Sequence, residues 1–293
     1  MIISNERELT ETVLAVMNQT ENPRLREIMV SLIRHLHSFV RDVRLTEEEF
    51  RAATDVIARL GQLTTDAHNE VVLMAGSLGV SSLVCLLNNG DGGATETSAS
   101  LLGPFWRANS PRTENGGSLL RSPTPGPAFV FNGHVLDRQG KPVAGAEVDV
   151  WHSSTAGLYE NQDPLQAEMN LRGKFTTDET GTFTFRSIKP VGYPIPADGN
   201  VVGELLRAQH RHNFRPAHVH VLIFKRGFKT LISQVYMPDD PLIEDDVQFG
   251  VTRALIGDLI RHDGEGDNAP WYSVDYTFVV EQGEAKLPRA PIK

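Results

Sequence analysis

Two histidines two residues apart, His218 and His220, stand in the segment Arg215-Pro216-Ala217-His218-Val219-His220-Val221-Leu222-Ile223. Alternate residues of a strand share a face, so both imidazoles project together while Val219 and Val221 point into the opposite layer. Imidazoles whose Cα atoms lie about 7 Å apart can converge on one metal ion. The spacing also fits a half-exposed strand with histidines on its wet face, so further donors decide. The chain has one cysteine, Cys85, in the apolar run LVCLL, which leaves Asp, Glu and Tyr as partners. Tyrosine is scarce: Tyr159, Tyr193, Tyr236, Tyr272 and Tyr276 are all there are. Tyr159 follows a strand end in a glycine-containing loop (AGLYE), and Tyr193 is braced by Gly192, Pro194 and Pro196 in the rigid turn VGYPIP. A phenol ordinarily loses its proton at about pH 10, but a trivalent metal favours the phenolate, a hard oxygen ligand for iron. Each tyrosine alone also reads as a core or turn aromatic with its hydroxyl satisfied.

Other motifs carry less. Ala75-Gly76-Ser77-Leu78-Gly79 loosely matches a serine-hydrolase elbow but lies inside a helical pattern with no preceding strand. Asp263-Gly264-Glu265-Gly266-Asp267 has the look of a calcium loop, yet Val274 stands where that loop needs its glutamate, so the segment reads as a solvated turn. There is no P-loop and no dinucleotide fingerprint. A zinc hydrolase using His218, His220, a carboxylate and a water stays open, without a HExxH helix or a third histidine at suggestive spacing. So does a non-enzymatic β-sandwich binding module.

The elements that must position these groups change character along the chain. Up to about residue 90 the period is helical: Leu25, Ile28, Met29, Leu32, Ile33 and Leu36 recur at steps of three and four. Thr46 and Glu49 form a capping box before a second helix with Phe50, Ala53, Ile57 and Leu60 on its stripe. A third helix is expected over residues 66–87, with Val71, Met74, Leu78 and Cys85 on its buried face. Residues 88–127 are rich in Gly, Pro, Ser and Thr, a connector composition. Beyond them the period switches to two over residues 129–136, 146–151, 182–188, 217–224, 231–237 and 274–280, the spacing of a β-sandwich. One further helix is expected after Asp245 or Asp246, carrying Val247, Val251, Leu255 and Leu259. The expected fold is therefore mainly β: an N-terminal α-helical dimerisation domain over residues 1–100 and a mixed β-sandwich catalytic domain over 101–293. A length of 293 residues suits one large domain or two unequal ones.

Composition bounds the partners. With 40% hydrophobic and 22% charged residues the chain is an ordinary folded protein. Its 37 acidic against 28 basic side chains give a net charge of −9, which repels nucleic acid and anionic membranes. The start MIISNERELTETV has acids where a signal peptide needs a basic opening, and no run reaches the length of a membrane span. One cysteine builds no disulfide, so a cytoplasmic, reducing location is expected. Residues 1–90 carry more apolar stripe than one sandwich face needs, which predicts a homodimer assembled through the helices.

Phe131-Asn132-Gly133-His134-Val135, Gly140, Val143, Val148-Asp149-Val150 and Gly157-Leu158-Tyr159 resemble, in type and spacing, the signature of the intradiol ring-cleavage dioxygenases. The VGYPIP turn and the RPAHVH strand resemble that family's other iron-binding segments in the same order, and the N-terminal helices resemble the dimer-forming region of its catechol 1,2-dioxygenase branch. Within that branch, ENQDPLQAEMNLRGKFTTD and GFKTLISQVY are similar to hydroxyquinol 1,2-dioxygenases. The resemblance implies one Fe(III) per subunit held by Tyr159, Tyr193, His218 and His220 with a solvent hydroxide. It implies cleavage of an aromatic 1,2-diol between its hydroxylated carbons, with both atoms of O₂ inserted. Two tyrosinates and a hydroxide neutralise Fe³⁺, and a diol dianion can replace one tyrosinate and the hydroxide without leaving net charge in a dry pocket. By the same resemblance Tyr193 is the ligand that leaves and takes a proton, Arg215 stabilises charge developing on the ring, and Gln234 is a polar partner beside the metal. The ring pocket would be lined by Leu73, Gly76, Leu101, Leu102, Gly103, Pro194, Ile195 and Pro196. The implied substrate is hydroxyquinol (1,2,4-trihydroxybenzene), giving 3-hydroxy-cis,cis-muconate and hence maleylacetate, with catechol or a chlorocatechol as the alternative. A lipid-like amphiphile between subunits is also implied. Gly76 departs from the pattern: hydroxyquinol enzymes often carry an acid there, placed to bond the third hydroxyl.

Overall fold

The computed structural model describes residues 2–65, 68–88, 99–264 and 269–292; the expected start of the third helix at residue 66 and part of the 263–267 turn lie outside them. The chain forms two compact units, Met1–Arg59 and Leu60–Lys293.

The first unit holds α1 (Glu6–Met17), α2 (Pro23–Asp42) and most of α3 (Glu47–Leu63). Asn5 and Asn22 cap α1 and α2 by accepting the N–H of Glu8 and Leu25, and Pro23 opens α2 where no N–H is needed. Thr46 and Glu49 form the expected capping box: the Thr46 N–H donates to Glu49 Oε2 at 2.9 Å and the Glu49 N–H to Thr46 Oγ1 at 3.3 Å. Arg41 of α2 donates to Thr10 Oγ1 of α1 at 2.9 Å, with His37 Nδ1 on the same hydroxyl. The apolar stripe of α2 stays in solvent, with Leu25, Ile28, Leu32 and Leu36 between 45% and 49% exposed.

The second unit opens with α4 (Glu70–Ser77) and α5 (Val80–Asn88). The single helix expected there is two, because Gly79 takes a φ of +72° and turns the chain by 77°. The buried face also differs: Glu70, Leu73, Gly76 and Ser77 point inward, while Val71 and Leu78 are exposed. A polar anchor sets this orientation. Glu70 accepts the Val202 N–H at 2.8 Å and Asn200 Nδ2 at 3.2 Å, holding α4 against the start of α6 (Val201–Ala208). Helix α6 has no counterpart among the expected elements.

Two four-stranded sheets make the sandwich. Their strands are β1 (Ala128–Asp137), β2 (Glu147–Trp151), β3 (Arg172–Thr176), β4 (Thr182–Ile188), β7 (His218–Phe224), β8 (Leu231–Tyr236), β9 (Asp258–His262) and β10 (Trp271–Val280). One sheet runs β4-β1-β10-β9, with β1 and β10 parallel; the other runs β3-β2-β7-β8 and is antiparallel. A separate ribbon pairs β5 (Tyr193–Pro194) with β6 (Phe214–Arg215). Phe129, Phe131, Phe183, Phe185 and Phe278 from one sheet meet Val148, Val150, Phe175, Val219 and Val221 from the other. Phe131 stacks on Phe185 with ring centroids 5.1 Å apart. Gly133 sits opposite Phe183, and any side chain there would collide with that ring.

The helix expected after Asp245 or Asp246 is not formed. The Asp246 carboxylate accepts the N–H groups of Gln248 and Gly250 at 3.1 and 3.0 Å and closes turns instead. The chain then makes a single 3₁₀ turn, Arg253–Leu255, and enters strand β9, which carries Leu259. Among the described residues no single helix is long and apolar enough to cross a membrane; α4 and α5 pass that test only as a bent pair.

The face of the β3-β2-β7-β8 sheet away from the core is what positions the site. Register places Arg172, Trp151, His220 and Gln234 in one row across four strands, with His218 opposite Tyr236.

Candidate metal centre

His218 and His220 lie on that outer face, both buried, with their Nε2 atoms 3.1 Å apart. Tyr193 Oη is 3.4 Å from His218 Nε2, and Tyr159 Oη is 3.3 Å from Tyr193 Oη. Four donors therefore converge on one spot. Among the described residues no group of three or more His, Cys, Asp or Glu could hold a metal, so the two histidines find their partners in phenols. The zinc-hydrolase arrangement lacks its carboxylate.

Each donor is held by a different device. Tyr159 precedes the 3₁₀ turn Glu160–Gln162 and donates its N–H to Gln162 Oε1 at 3.0 Å. Its ring stacks on Phe105 at 4.5 Å, and the Arg172 guanidinium lies 5.7 Å over it. Arg172 is itself fixed by Glu160 at 2.7 Å and the Phe105 carbonyl at 2.6 Å. Tyr193 pairs with Arg215 in the β5–β6 ribbon, where Gly157, at φ +72°, lets the Tyr159 loop close on it; a Cβ would stand 3.2 Å from Tyr193 Cβ. The Trp151 indole lies flat on His220, with centroids 4.7 Å and planes 6° apart.

Burial, and then Arg215, pushes His218 down to about 3, and burial with His218 beside it holds His220 well below its ordinary value. Both imidazoles are neutral at pH 7. His218 Nδ1 is 2.7 Å from the Pro216 carbonyl, which takes its hydrogen and leaves the Nε2 lone pair facing Tyr193. Burial, reinforced by Tyr193, pushes the Tyr159 phenol well up; burial also raises Tyr193, with Arg215 pulling the other way. Two neutral imidazoles and two phenols too buried to ionise alone suit a hard trivalent cation, which would stabilise both phenolates in a dry pocket.

Arg215, 3% exposed, is a buried ion pair rather than a surface one. It grips Asp246 with Nε at 3.1 Å and Nη2 at 2.9 Å, and donates to Gln234 Oε1 at 2.9 Å and Tyr236 Oη at 2.6 Å. Its Nη1 reaches 3.3 Å from His218 Nε2. Burial opposes the charge, but Asp246 outweighs it and holds the guanidinium well above its ordinary value; the Asp246 carboxyl, pushed up by burial, is brought below its usual range by Arg215. Gln234 Nε2 donates to the Leu101 carbonyl at 2.6 Å and lies 3.3 Å from His220 Nδ1, tying the connector to the site.

Comparison with known proteins identifies the family. A family profile described as "Dioxygenase" matches residues 101–282, and one described as "Catechol dioxygenase N terminus" matches residues 22–95. The chain belongs to the intradiol ring-cleavage dioxygenases. It is 40% identical to a hydroxyquinol 1,2-dioxygenase of Rhizobium sp. strain MTP-10005, over 94% of this chain and 95% of that one. It is 37% identical to a catechol 1,2-dioxygenase of Candida albicans, over 88% and 84%. The crystal structure of hydroxyquinol 1,2-dioxygenase from Pseudomonas putida DLL-E4 superposes with a TM-score of 0.83 at 36% identity, covering 95% of this chain and 99% of that one.

In this dioxygenase the expected pocket residues fall in two groups. Leu101, Leu102 and Gly103 line a cavity with Ser100, Ile232 and Gln248, and Gly103 lies so close to His220 that a Cβ would stand 3.3 Å from the ring. Leu73, Gly76, Pro194, Ile195 and Pro196 do not line it. Leu73 and Ile195 pack in the apolar cluster of Tyr159 and Tyr193, Gly76 abuts the Gln248 amide, Pro194 is exposed, and Pro196 is half-buried. Sequence reasoning missed Asp246, Tyr236, Trp151 and the Glu160–Arg172 pair. Strand alternation from Gln234 could have found Tyr236; nothing local connects Asp246 to an arginine 31 residues away. Asp246→Ala leaves a buried guanidinium unpaired and should destabilise the protein by about 3–5 kcal/mol. Urea unfolding measures this, and a loss below about 1 kcal/mol would show that the pair does not hold the site.

Proposed function

We propose that the protein is a ferric intradiol dioxygenase that opens hydroxyquinol between its adjacent hydroxylated carbons, giving 3-hydroxy-cis,cis-muconate and hence maleylacetate in aromatic-compound catabolism. The observation that carries this reading is the convergence of Tyr159, Tyr193, His218 and His220 on one dry spot. The hydroxyquinol enzymes among its relatives support the choice of diol. Gly76, with no acid to meet a third hydroxyl, favours a second reading in which catechol or a chlorocatechol is preferred.

The four converging side chains would hold one Fe(III). When bound, the ferric ion would draw electron density from a coordinated diol, so that a ring carbon becomes reactive toward O₂. Tyr159 is locked by Phe105, Arg172 and the turn behind it, whereas Tyr193 rides on a two-residue ribbon. Tyr193 Oη is accordingly the group placed to accept a proton from an arriving diol hydroxyl. Arg215, kept cationic by Asp246, directs Nη1 toward the same spot and stabilises negative charge developing on the ring. Gln234 orients Arg215 through Oε1 and the connector through Nε2. Trp151, stacked on His220, helps exclude water.

Residues 1–100 are read as the helical dimerisation region and 101–293 as the catalytic region. The exposed stripe of α2 supports a homodimer, since a solvated row of Leu and Ile is a surface that a symmetric copy would cover. A groove in the first helical unit, lined by Leu9, Val40 and Leu45 beside Arg41 and Arg44, suits an amphiphile with an anionic head. A cytoplasmic location fits the single cysteine.

The purified holoprotein should carry one iron per chain and be red to burgundy, from phenolate-to-ferric charge transfer. Tyr159→Phe or Tyr193→Phe should shift or bleach the band, and His218→Ala or His220→Ala should lose the metal. A colourless protein with full iron would sink the assignment. O₂ uptake with hydroxyquinol, catechol and 4-chlorocatechol should give the highest kcat/KM for hydroxyquinol; a higher value for either catechol transfers the enzyme to the second reading. Native mass spectrometry should show a dimer carrying an extractable amphiphile, and a bare monomer at micromolar concentration would refute both.

A further inference from the structure

The two phenols that meet at the site stand in unequal electrical fields. Beside Tyr193 the cation is Arg215, and Asp246 balances it one for one through hydrogen bonds of 3.1 and 2.9 Å. Behind Tyr159 the count is different. Arg172 and Arg107 both donate to Glu160 Oε1, at 2.7 and 3.1 Å, so two guanidiniums share that buried carboxylate. The second partner of Arg107, Glu168, is 76% exposed, where water and salt screen it. Asp149, on the same sheet face, is matched by Lys174 at 3.7 Å. A positive charge is therefore left over inside the protein, and it lies against the Tyr159 ring, with the Arg172 guanidinium carbon 5.7 Å from the ring centroid.

The hydrogens of Arg172 are not all spent. Nε goes to Glu160 and Nη1 to the Phe105 carbonyl at 2.6 Å, while among the described residues the buried Nη2 has no acceptor. Burial pulls the guanidinium below its ordinary value and Glu160 opposes that, so it stays a cation at pH 7. An arginine that only braced the turn would be complete with Nε and Nη1; a buried charge with a donor unspent calls for a further anion nearby. The Tyr159 oxygen, as a metal-bound phenolate, supplies one through the ring face. We infer that Arg172 is a positioning residue for the reaction, its charge holding Tyr159 as the phenolate that stays on the metal while Tyr193, beside a balanced ion pair, is the one free to leave. The inference rests on the reading of the site as a ferric intradiol centre. It has a definite sign. A cation over a phenolate lowers the filled orbitals of that donor, so charge transfer from it to iron takes more energy, and losing the cation reverses the change.

The test uses the iron-loaded enzyme as purified and reads the position of its phenolate-to-ferric band. Arg172→Met should move the band to longer wavelength by about 10 nm or more, and Glu160→Gln, which removes the countercharge, should move it by a similar amount to shorter wavelength. Arg172→Lys, which keeps the charge, should hold the band near its parent position. In a Tyr193→Phe background, where Tyr159 is the absorbing phenolate, both shifts should persist. Thermal melting checks folding; if Arg172→Met does not fold, Arg107→Gln replaces it, with a shift of the same sign expected. A bracing role would move the band without regard to the sign of the charge removed. No shift, shifts of one sign for the arginine and glutamate variants, or shifts lost with Tyr193→Phe overturn the inference. An iron-loaded parent with no such band overturns the reading of the site itself.

Discussion

The Arg215 guanidinium is out of water, where a charge costs several kcal/mol unless it is paired and its hydrogens are spent. Meeting that demand organises much of the site. Asp246 supplies the countercharge and in doing so folds the 246–250 loop around the arginine; a Cβ on Gly250 would stand 2.7 Å from Arg215 Nη2. Gln234 and Tyr236 supply neutral acceptors from the neighbouring strand, where alternation gives them the same face. Backbone pairing fixes Arg215 opposite Tyr193, and three residues later the chain delivers His218. One cation thus couples the strand of the histidines to the ribbon of a tyrosine.

The second sheet works because it is buried on both sides for different reasons. Val148, Val150, Val219 and Val221 face the sandwich core, where only volume and shape matter. Asp149, Trp151, His218, His220 and Gln234 face away, and each is buried too. A polar face excluded from water must be bonded internally or complete itself with a ligand. His218 Nε2 and the two phenols are the groups placed for the latter, so the low dielectric that keeps the imidazoles neutral would also give a cation its value there.

Legibility in the sequence followed the range of the interaction. Strands β1, β2, β4, β7, β8 and β10 announce themselves by alternation, and His218 and His220 by a two-residue step that no tertiary contact alters. Thr46 and Glu49 are likewise a local device. The expectations that failed were decided at a distance. Apolar spacing from Val247 to Leu259 suggested a helix, but Asp246 was already committed to Arg215, and its side chain closes turns. The inward face of α4 was misjudged because hydrophobicity pointed to Val71 and Leu78, while the contact that orients the helix is Glu70 with the start of α6. The space beside Gly76 is filled by the Gln248 amide, which comes from 172 residues further along the chain.

The outer face of a sheet is too flat to enclose a ring, so concavity has to come from segments outside the sandwich. Residues 70–88 and 99–103 supply it. Glu70 ties α4 to α6, Ser100 donates its N–H to the Ile232 carbonyl at 2.9 Å, the Leu101 carbonyl is bonded by Gln234, and Gly103 rests on His220. Composition changes at about residue 88, but the compact unit that holds the site begins at Leu60, with α4 bonded to the start of α6 and residues 100–101 bonded to strand β8. The wall beside His220 is therefore built from residues whose backbones are tied to strand β8 through Ile232 and Gln234 while their side chains remain free to vary. Within such a design the choice of diol can shift by exchanging a few wall side chains, with Arg215, Gln234 and the four converging donors left in place.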